Sequence, residues 1–175
     1  MSTTALLSHK LERAIVAWLT ANHGGLLTGW NILPGHTNAE NPPIPLLVVA
    51  CMKPRPHPDF EGCGRAFPQI VETTLEFRQR GKGHPHETDI APIVGGVDAL
   101  LASRPTGRED DETADYLQLI TDLNPPATGP DTRTITPLYV FAIHPDGDFG
   151  EFDGADYCEQ LGLQIIAQNG EPSIA

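Results

Sequence analysis

The sequence predicts an α+β fold: a mainly antiparallel sheet of about four strands packed by two or three helices, with long Pro/Gly-rich loops. Three observations carry this expectation. Residues 69–79 alternate between apolar and polar side chains, the period of a strand with one buried face. Residues 4–22 repeat apolar side chains three and four positions apart, the period of an amphipathic helix. The helix-like segments stand between two pairs of strand-like ones, in the order α-β-β-α-(α)-β-β.

In the first helix, 4–22, the apolar stripe is Leu7, Leu11, Ile15, Trp18 and Leu19, and Lys10, Glu12 and Arg13 fall on other faces. Ser2, Thr3 or Thr4 can cap its start, and Gly24-Gly25 can close its end in the left-handed conformation. Residues 34–43 (PGHTNAENPP) are turn chemistry throughout, so 24–44 reads as a loop. Leu46 to Cys51 (LLVVAC) is a short valine-rich apolar run, which predicts a strand covered on both faces. Residues 53–68 break order again, because Lys53-Pro-Arg-Pro-His-Pro58 lacks backbone donors and favours an extended, polyproline-like path. Within 69–79, Val71, Thr73, Leu75 and Phe77 are expected on the buried face, and Glu72, Thr74, Glu76 and Arg78 on the wet one.

After the loop 80–87 (RGKGHPHE), residues 87–103 predict a second helix. Thr88 or Asp89 caps it, Pro92 sits in its first turn, and Ile93, Val97, Leu100 and Leu101 form its stripe. Gly95-Gly96 costs this helix about 1 kcal/mol per glycine relative to alanine, which predicts close packing or a break there. Residues 104–112 read as a charged loop, and Thr113 to Leu123 as a short third helix ended by Asn124-Pro-Pro126. Ile135 to His144 (ITPLYVFAIH) is strand-like, with Pro137 confining its early part to an edge or a strand start. Residues 145–158 read as a Gly- and Asp-rich loop. Leu161, Leu163, Ile165 and Ala167 then alternate with glutamines in a last strand, and 169–175 reads as a frayed tail. No repeat or boundary divides residues 1–175, so they read as a single domain with its sheet and later helices in 45–168.

Composition narrows the function classes. A chain of 175 residues suits one domain of ~100–200 residues. It carries 11 Lys+Arg against 23 Asp+Glu, for a formal net charge of −12, with no basic stripe, which disfavours binding to nucleic acid. The longest apolar run, Ile44 to Met52, falls far short of the ~20 residues that span a bilayer. The N-terminus has no basic stretch leading into an apolar core, so no secretory signal is expected. Cys51, Cys63 and Cys158 lie far apart with no CxxC spacing, which fits a reducing compartment. The expectation is a soluble protein made in the cytosol, with no membrane partner.

Three clusters invite chemistry. His84-Pro-His86-Glu87, with Asp89 nearby, offers imidazole and carboxylate ligands that suit zinc or iron, but the intervening proline fixes the geometry poorly. The acidic run Asp146, Asp148, Glu151, Asp153, Asp156 and Glu159 has oxygens for calcium. Its register fails the EF-hand pattern, because Gly150 and Tyr157 occupy the fifth and twelfth positions, so a solvated turn or charged contact surface is expected. Gly62-Cys63-Gly64 would present a reactive thiol only with a base such as His57 beside it, whereas Cys51 ends an apolar strand and reads as a small buried hydrophobe. No GxGxxG, GxxxxGK[ST], GxSxG or HExxH occurs. The expectation is a non-enzyme without cofactor or metal. The alternatives are a small metal-dependent enzyme built around His84, His86, Glu87 and the acidic run, or a binding module with an acidic face for a basic partner.

The long loops 24–44, 52–68 and 124–134 are unusual for a compact domain, where connections beyond ~12–15 residues tend to be binding arms. The order of segments then resembles one family. A short N-terminal helix (LSHKLERAIVAWLTAN) leads through a turn-rich stretch to a strand introduced by prolines (PPIPLLVVAC). An alternating strand (QIVETTLEFRQR), a helix with a small-residue middle (DIAPIVGGVDALLAS) and a late strand pair (ITPLYVFAIH and LGLQIIAQ) follow. Over residues 4–168 this resembles the tail-terminator and tail-completion proteins of long-tailed bacteriophages. The resemblance rests on order and texture and assigns no residue-level roles. It implies a virion protein of the tail–neck region, assembled in the host cytoplasm. Such a protein forms a homo-oligomeric ring, usually hexameric, that caps the tail tube, meets the tube protein and the head–tail connector, and uses no cofactor. Candidate contact residues are Glu72, Glu76 and Arg78 on the alternating strand and Asp146, Asp148, Glu151 and Asp153 in the acidic run.

Overall fold

A computed structural model describes residues 7–35, 42–60, 68–81, 85–102, 138–153 and 156–169. The α+β expectation holds: two helices pack on one mixed, mainly antiparallel sheet. In chain order the elements are α1 (Leu7–Asn22), β1 (Asn31–Pro34), β2 (Leu46–Cys51), β3 (Arg55–Pro56), β4 (Gln69–Arg80), α2 (Ala91–Ala102), β5 (Leu138–Asp153) and β6 (Asp156–Asn169). The sheet order is β1-β2-β4-β6-β5, with β3 also paired to β4. Only β1 and β2 run parallel. The third helix expected at 113–123, the loops 104–112 and 124–134 and the tail 170–175 lie outside the described residues.

Strand β4 behaves as its alternation predicts. Val71, Thr73, Leu75 and Phe77 are buried, while Glu72 and Arg78 are exposed. Cross-strand partners share a face, so register extends this face across the sheet. Leu47 of β2 stands beside Phe77, Val49 beside Leu75, and Cys51 beside Thr73. On the other flank Ile165, Leu163 and Leu161 of β6 stand beside Val71, Thr73 and Leu75. These residues and the apolar stripes of α1 and α2 form one core. In β2 the opposite face is buried at Leu46 but only half-buried at Val48 and Ala50, so the strand is covered fully on one face and in part on the other.

Helix α1 lies over β1 and β2 and buries the predicted Leu7, Leu11, Ile15, Trp18 and Leu19. Glu12 is a correction: it is 1% exposed, inside the helix–sheet interface rather than on an outer face. The helix ends as expected, with Gly24 and Gly25 at φ +58° and +92°. The side chain of His23 fastens the turn, its Nδ1 accepting the Gly25 and Leu27 N–H groups at 3.1 and 3.2 Å. Helix α2 lies over β5 and β6. It is entered through a π turn, His86–Ile90, in which the Pro85 carbonyl accepts the N–H groups of Thr88 and Asp89. These two residues therefore sit inside the turn instead of capping the helix, and the Thr88 hydroxyl donates to Asp89 Oδ1 at 3.0 Å. The buried stripe is Ile90, Val94, Val97 and Leu101, one position off the expected Ile93 and Leu100, because the π turn rotates the helix entry.

Three segments expected to be loops are partly sheet. Within 24–44, Asn31–Pro34 forms β1, held to the β2 approach by Asn31 N–H donating to the Pro45 carbonyl at 3.0 Å. Within 53–68, β3 continues the line of β2 along β4: Cys51 faces Thr73 and Arg55 faces Ile70, so residues 52–54 oppose 71–72 as a one-residue bulge. The prolines remove donors without breaking the extended path. Within 145–158, β5 runs on to Asp153 and β6 starts at Asp156, so the acidic segment is a long hairpin. A register shift between Pro145 and Asp148 absorbs the irregular residues, with Gly147 at φ +92°.

Gly95 and Gly96 do not break α2. A Cβ at Gly96 would lie 2.7 Å from Leu26 Cδ2, so this glycine admits the turn after α1, whereas a Cβ at Gly95 meets nothing within 4 Å. Gly95→Ala is therefore expected to stabilise the fold by about 0.4–1 kcal/mol, read as a higher urea midpoint, with Gly96→Ala gaining less. Equal gains at both positions would contradict the Leu26 contact.

Candidate assembly surface

The face of the sheet opposite the helices is where β4 places its polar alternates. Glu76 joins two strands there: Arg78 Nε donates to its Oε1, and Gln160 Nε2 of β6 donates to its Oε2 at 3.1 Å. Glu72 pairs with Arg55 of β3 at 3.4 Å, both side chains 53% exposed. Exposed pairs of this kind contribute at most ~1 kcal/mol, so they orient charge more than they stabilise. Leu75 and Phe77 are wholly buried, so they belong to the core, and Glu72, Glu76 and Arg78 are the residues of β4 available for contact.

The acidic run is divided between two strands. Asp146, Asp148, Glu151 and Asp153 lie on β5, at the margin of the sheet, and Asp156 and Glu159 lie on β6. Glu151 stands opposite Cys158, which in turn stands opposite Arg78; Asp153 stands opposite Asp156, which faces Arg80. Glu159 leaves the cluster, because it is buried at a position facing Phe77. A single solvated turn is thus replaced by a charged strand edge.

A polar site inside the core, at Glu12 and Cys51, was not expected from the sequence. Beyond β1, the Gly35 N–H donates to the Val49 carbonyl at 2.7 Å, and the next donor along β2, the Cys51 N–H, goes to Glu12 Oε2 at 3.1 Å. The buried carboxylate thus takes the place of a strand neighbour. Cys51 Sγ also lies 3.4 Å from Thr73 Oγ1. Burial pushes the Cys51 thiol up to about 12, against a lowering by the Thr73 hydrogen bond and with a further rise from the Glu12 charge. Cys51 is therefore a protonated core thiol and not a nucleophile. The only sequence signal for Glu12 is its place next to Leu11, at the border of the apolar stripe.

The sequence-derived metal cluster is only partly described. His84 and Cys63 lie outside the described residues, His86 opens the π turn, and Glu87 is exposed. His57 is taken up locally, its Nδ1 accepting the Asp59 N–H at 3.3 Å. Among the described residues, no group of three or more His, Cys, Asp or Glu is placed to hold a metal ion. No helix among them is long and apolar enough to cross a membrane. Compared with protein-family models and with curated proteins, the chain matches none.

Two measurements probe the buried site. Glu12→Ala leaves the Cys51 N–H without its acceptor and should cost about 1–3 kcal/mol in urea unfolding, with Glu12→Gln costing less because its carbonyl still accepts. For Cys51 the raised folded value means that its contribution to stability is intact below the ordinary 9.0 and is lost as pH climbs towards about 12. Thiol labelling of the folded protein near neutral pH should spare Cys51 until the chain is unfolded; rapid labelling under native conditions would contradict its burial.

Proposed function

We propose that this chain is a tail-terminator or tail-completion protein of a long-tailed bacteriophage. In this reading, copies close into a ring, usually of six, on the head-proximal end of the tail tube and offer a docking face to the head–tail connector. The protein acts structurally in the virion neck, after assembly in the host cytoplasm, and needs no cofactor. The observation that carries the reading is the order of elements. An N-terminal helix, a strand led in by prolines, an alternating strand, a helix with a small-residue middle and a closing strand pair all meet in one sheet.

A second support is the state of the sheet margins. Among the described residues, β1 and β5 each have one strand neighbour. Such edges pair readily with other chains, and ring subunits need two different patches that meet head to tail. The net charge of −12 keeps free copies apart until a partner surface arrives.

The test is electron microscopy of the purified chain alone and with candidate phage tail-tube proteins, with metal analysis of the same sample. Closed rings, or tubes blocked at one end, are expected. A chain that neither closes nor caps tubes would sink the reading, and stoichiometric zinc or iron would turn it towards His84, His86 and Glu87.

A further inference from the structure

We infer that the two margins of the sheet are the complementary halves of one contact between copies of this chain: the acidic edge strand β5 of one copy seats against the Lys53–Arg55 margin of the next. The inference rests on the reading of the chain as a self-assembling ring subunit, and it names the surfaces that such a ring would use.

Charge is distributed unevenly along the sheet. Residues 138–169, which include β5 and β6, hold six acidic residues and no lysine or arginine. Four of the six, Asp146, Asp148, Glu151 and Asp153, stand on β5, which has β6 as its one strand neighbour among the described residues. On the far side, β3 carries the line of β2 beyond the end of β1, so that Lys53 and Arg55 stand at the margin, both exposed. The exposed pairing of Arg55 with Glu72 is weak enough to be shared with a second carboxylate.

The occupant follows from what each margin refuses. Two β5 strands brought edge to edge oppose acid to acid, so a symmetric contact through β5 is repelled. Two Lys53–Arg55 margins bring together only one carboxylate each, Glu72, already paired with Arg55, so they gain less than a basic margin set against an acidic one. The acidic margin of one copy and the basic margin of another attract. The two margins lie on opposite sides of the sheet, with β4 and β6 between them, roughly 15 Å apart at ~4.8 Å per strand. One copy cannot satisfy both with a single partner face, so the contact is heterologous and closes into a ring or extends into a filament. Pro54, Pro56 and Pro58 deny the basic margin a regular row of donors, so side-chain charge, not a continued strand ladder, dominates the contact. Such a contact weakens as salt is added.

The experiment uses the full chain, with fold checked by circular dichroism, and reads mass by sedimentation with and without tube protein. In the presence of tube protein the native chain should associate, and added salt should weaken this. Lys53→Gln/Arg55→Gln and Asp146→Asn/Asp148→Asn/Glu151→Gln/Asp153→Asn should each remain monomeric, since each lacks one half of the contact. Mixed in equal amounts, they should form dimers and nothing larger, because one intact pair of margins remains between them. Variants that assemble like the native chain, a mixture that stays monomeric, or native association indifferent to salt would overturn the contact. Rings that cap tubes yet ignore these substitutions would overturn it while leaving the tail reading intact. Association through these margins without tube capping would do the reverse. If either variant misfolds, the single substitutions Arg55→Gln and Asp148→Asn decide, each expected to weaken native association and each overturning the contact if it leaves association unchanged.

Discussion

The fold depends on the two-residue period of β4. This strand has β2 on one side and β6 on the other, and its inward residues set the rows on which both neighbours stand. Phe77 anchors one row with Leu47 and meets Trp30 edge-on, the ring centroids 6.1 Å apart, and Leu75 anchors the next row with Val49 and Leu161. A slip by one residue would turn Glu72, Glu76 and Arg78 into the core and put Leu75 and Phe77 in water. No arrangement of the helices would compensate for three buried charges and two lost anchors. The register of β4 is therefore the constraint that α1, α2 and the flanking strands all presuppose.

The margins of the sheet raise a different problem. Where β1 stops, β2 still has a backbone donor to satisfy inside the core, and a buried donor without a partner costs about 1–3 kcal/mol. Glu12 meets that need from α1, which ties the position of the helix along the sheet to one hydrogen bond as well as to its apolar stripe. Burial keeps the Cys51 thiol protonated, and the same carboxylate adds to that effect. A residue that looks like an ordinary surface glutamate thus fixes helix, strand end and cysteine chemistry together.

What was legible in the sequence was whatever a period makes visible. The stripe of α1, the bounds of β2 and the two faces of β4 follow from spacing alone, and the buried positions of β6 follow from Leu161, Leu163, Ile165 and Ala167. The missed features have no period. Strand β1 is four residues long with two central apolar side chains and a terminal proline, and it exists because β2 offers it an edge. The hairpin through Asp153 hides behind glycines, aspartates and a proline, because a register shift lets a strand carry residues that read as turn. The burial of Glu12 depends on a donor thirty-nine residues away. Of the candidate surface, the polar face of β4 was legible, and the placement of the acids along an edge was not.

That placement changes what the acidic composition means. Spread evenly, a net charge of −12 would only keep copies apart. Four of the 23 acidic residues stand on β5, and Lys53 and Arg55 stand on the opposite margin, so charge is graded across the sheet. In the contact proposed above, copies would meet head to tail, and whether they close into a ring would depend on the angle between the two margins. The twist of the sheet sets that angle, since adjacent strands rotate by roughly 20–25°. Three strand-to-strand steps separate the margins, so in the proposed contact the sheet built on β4 would also set the angle at which one copy meets the next.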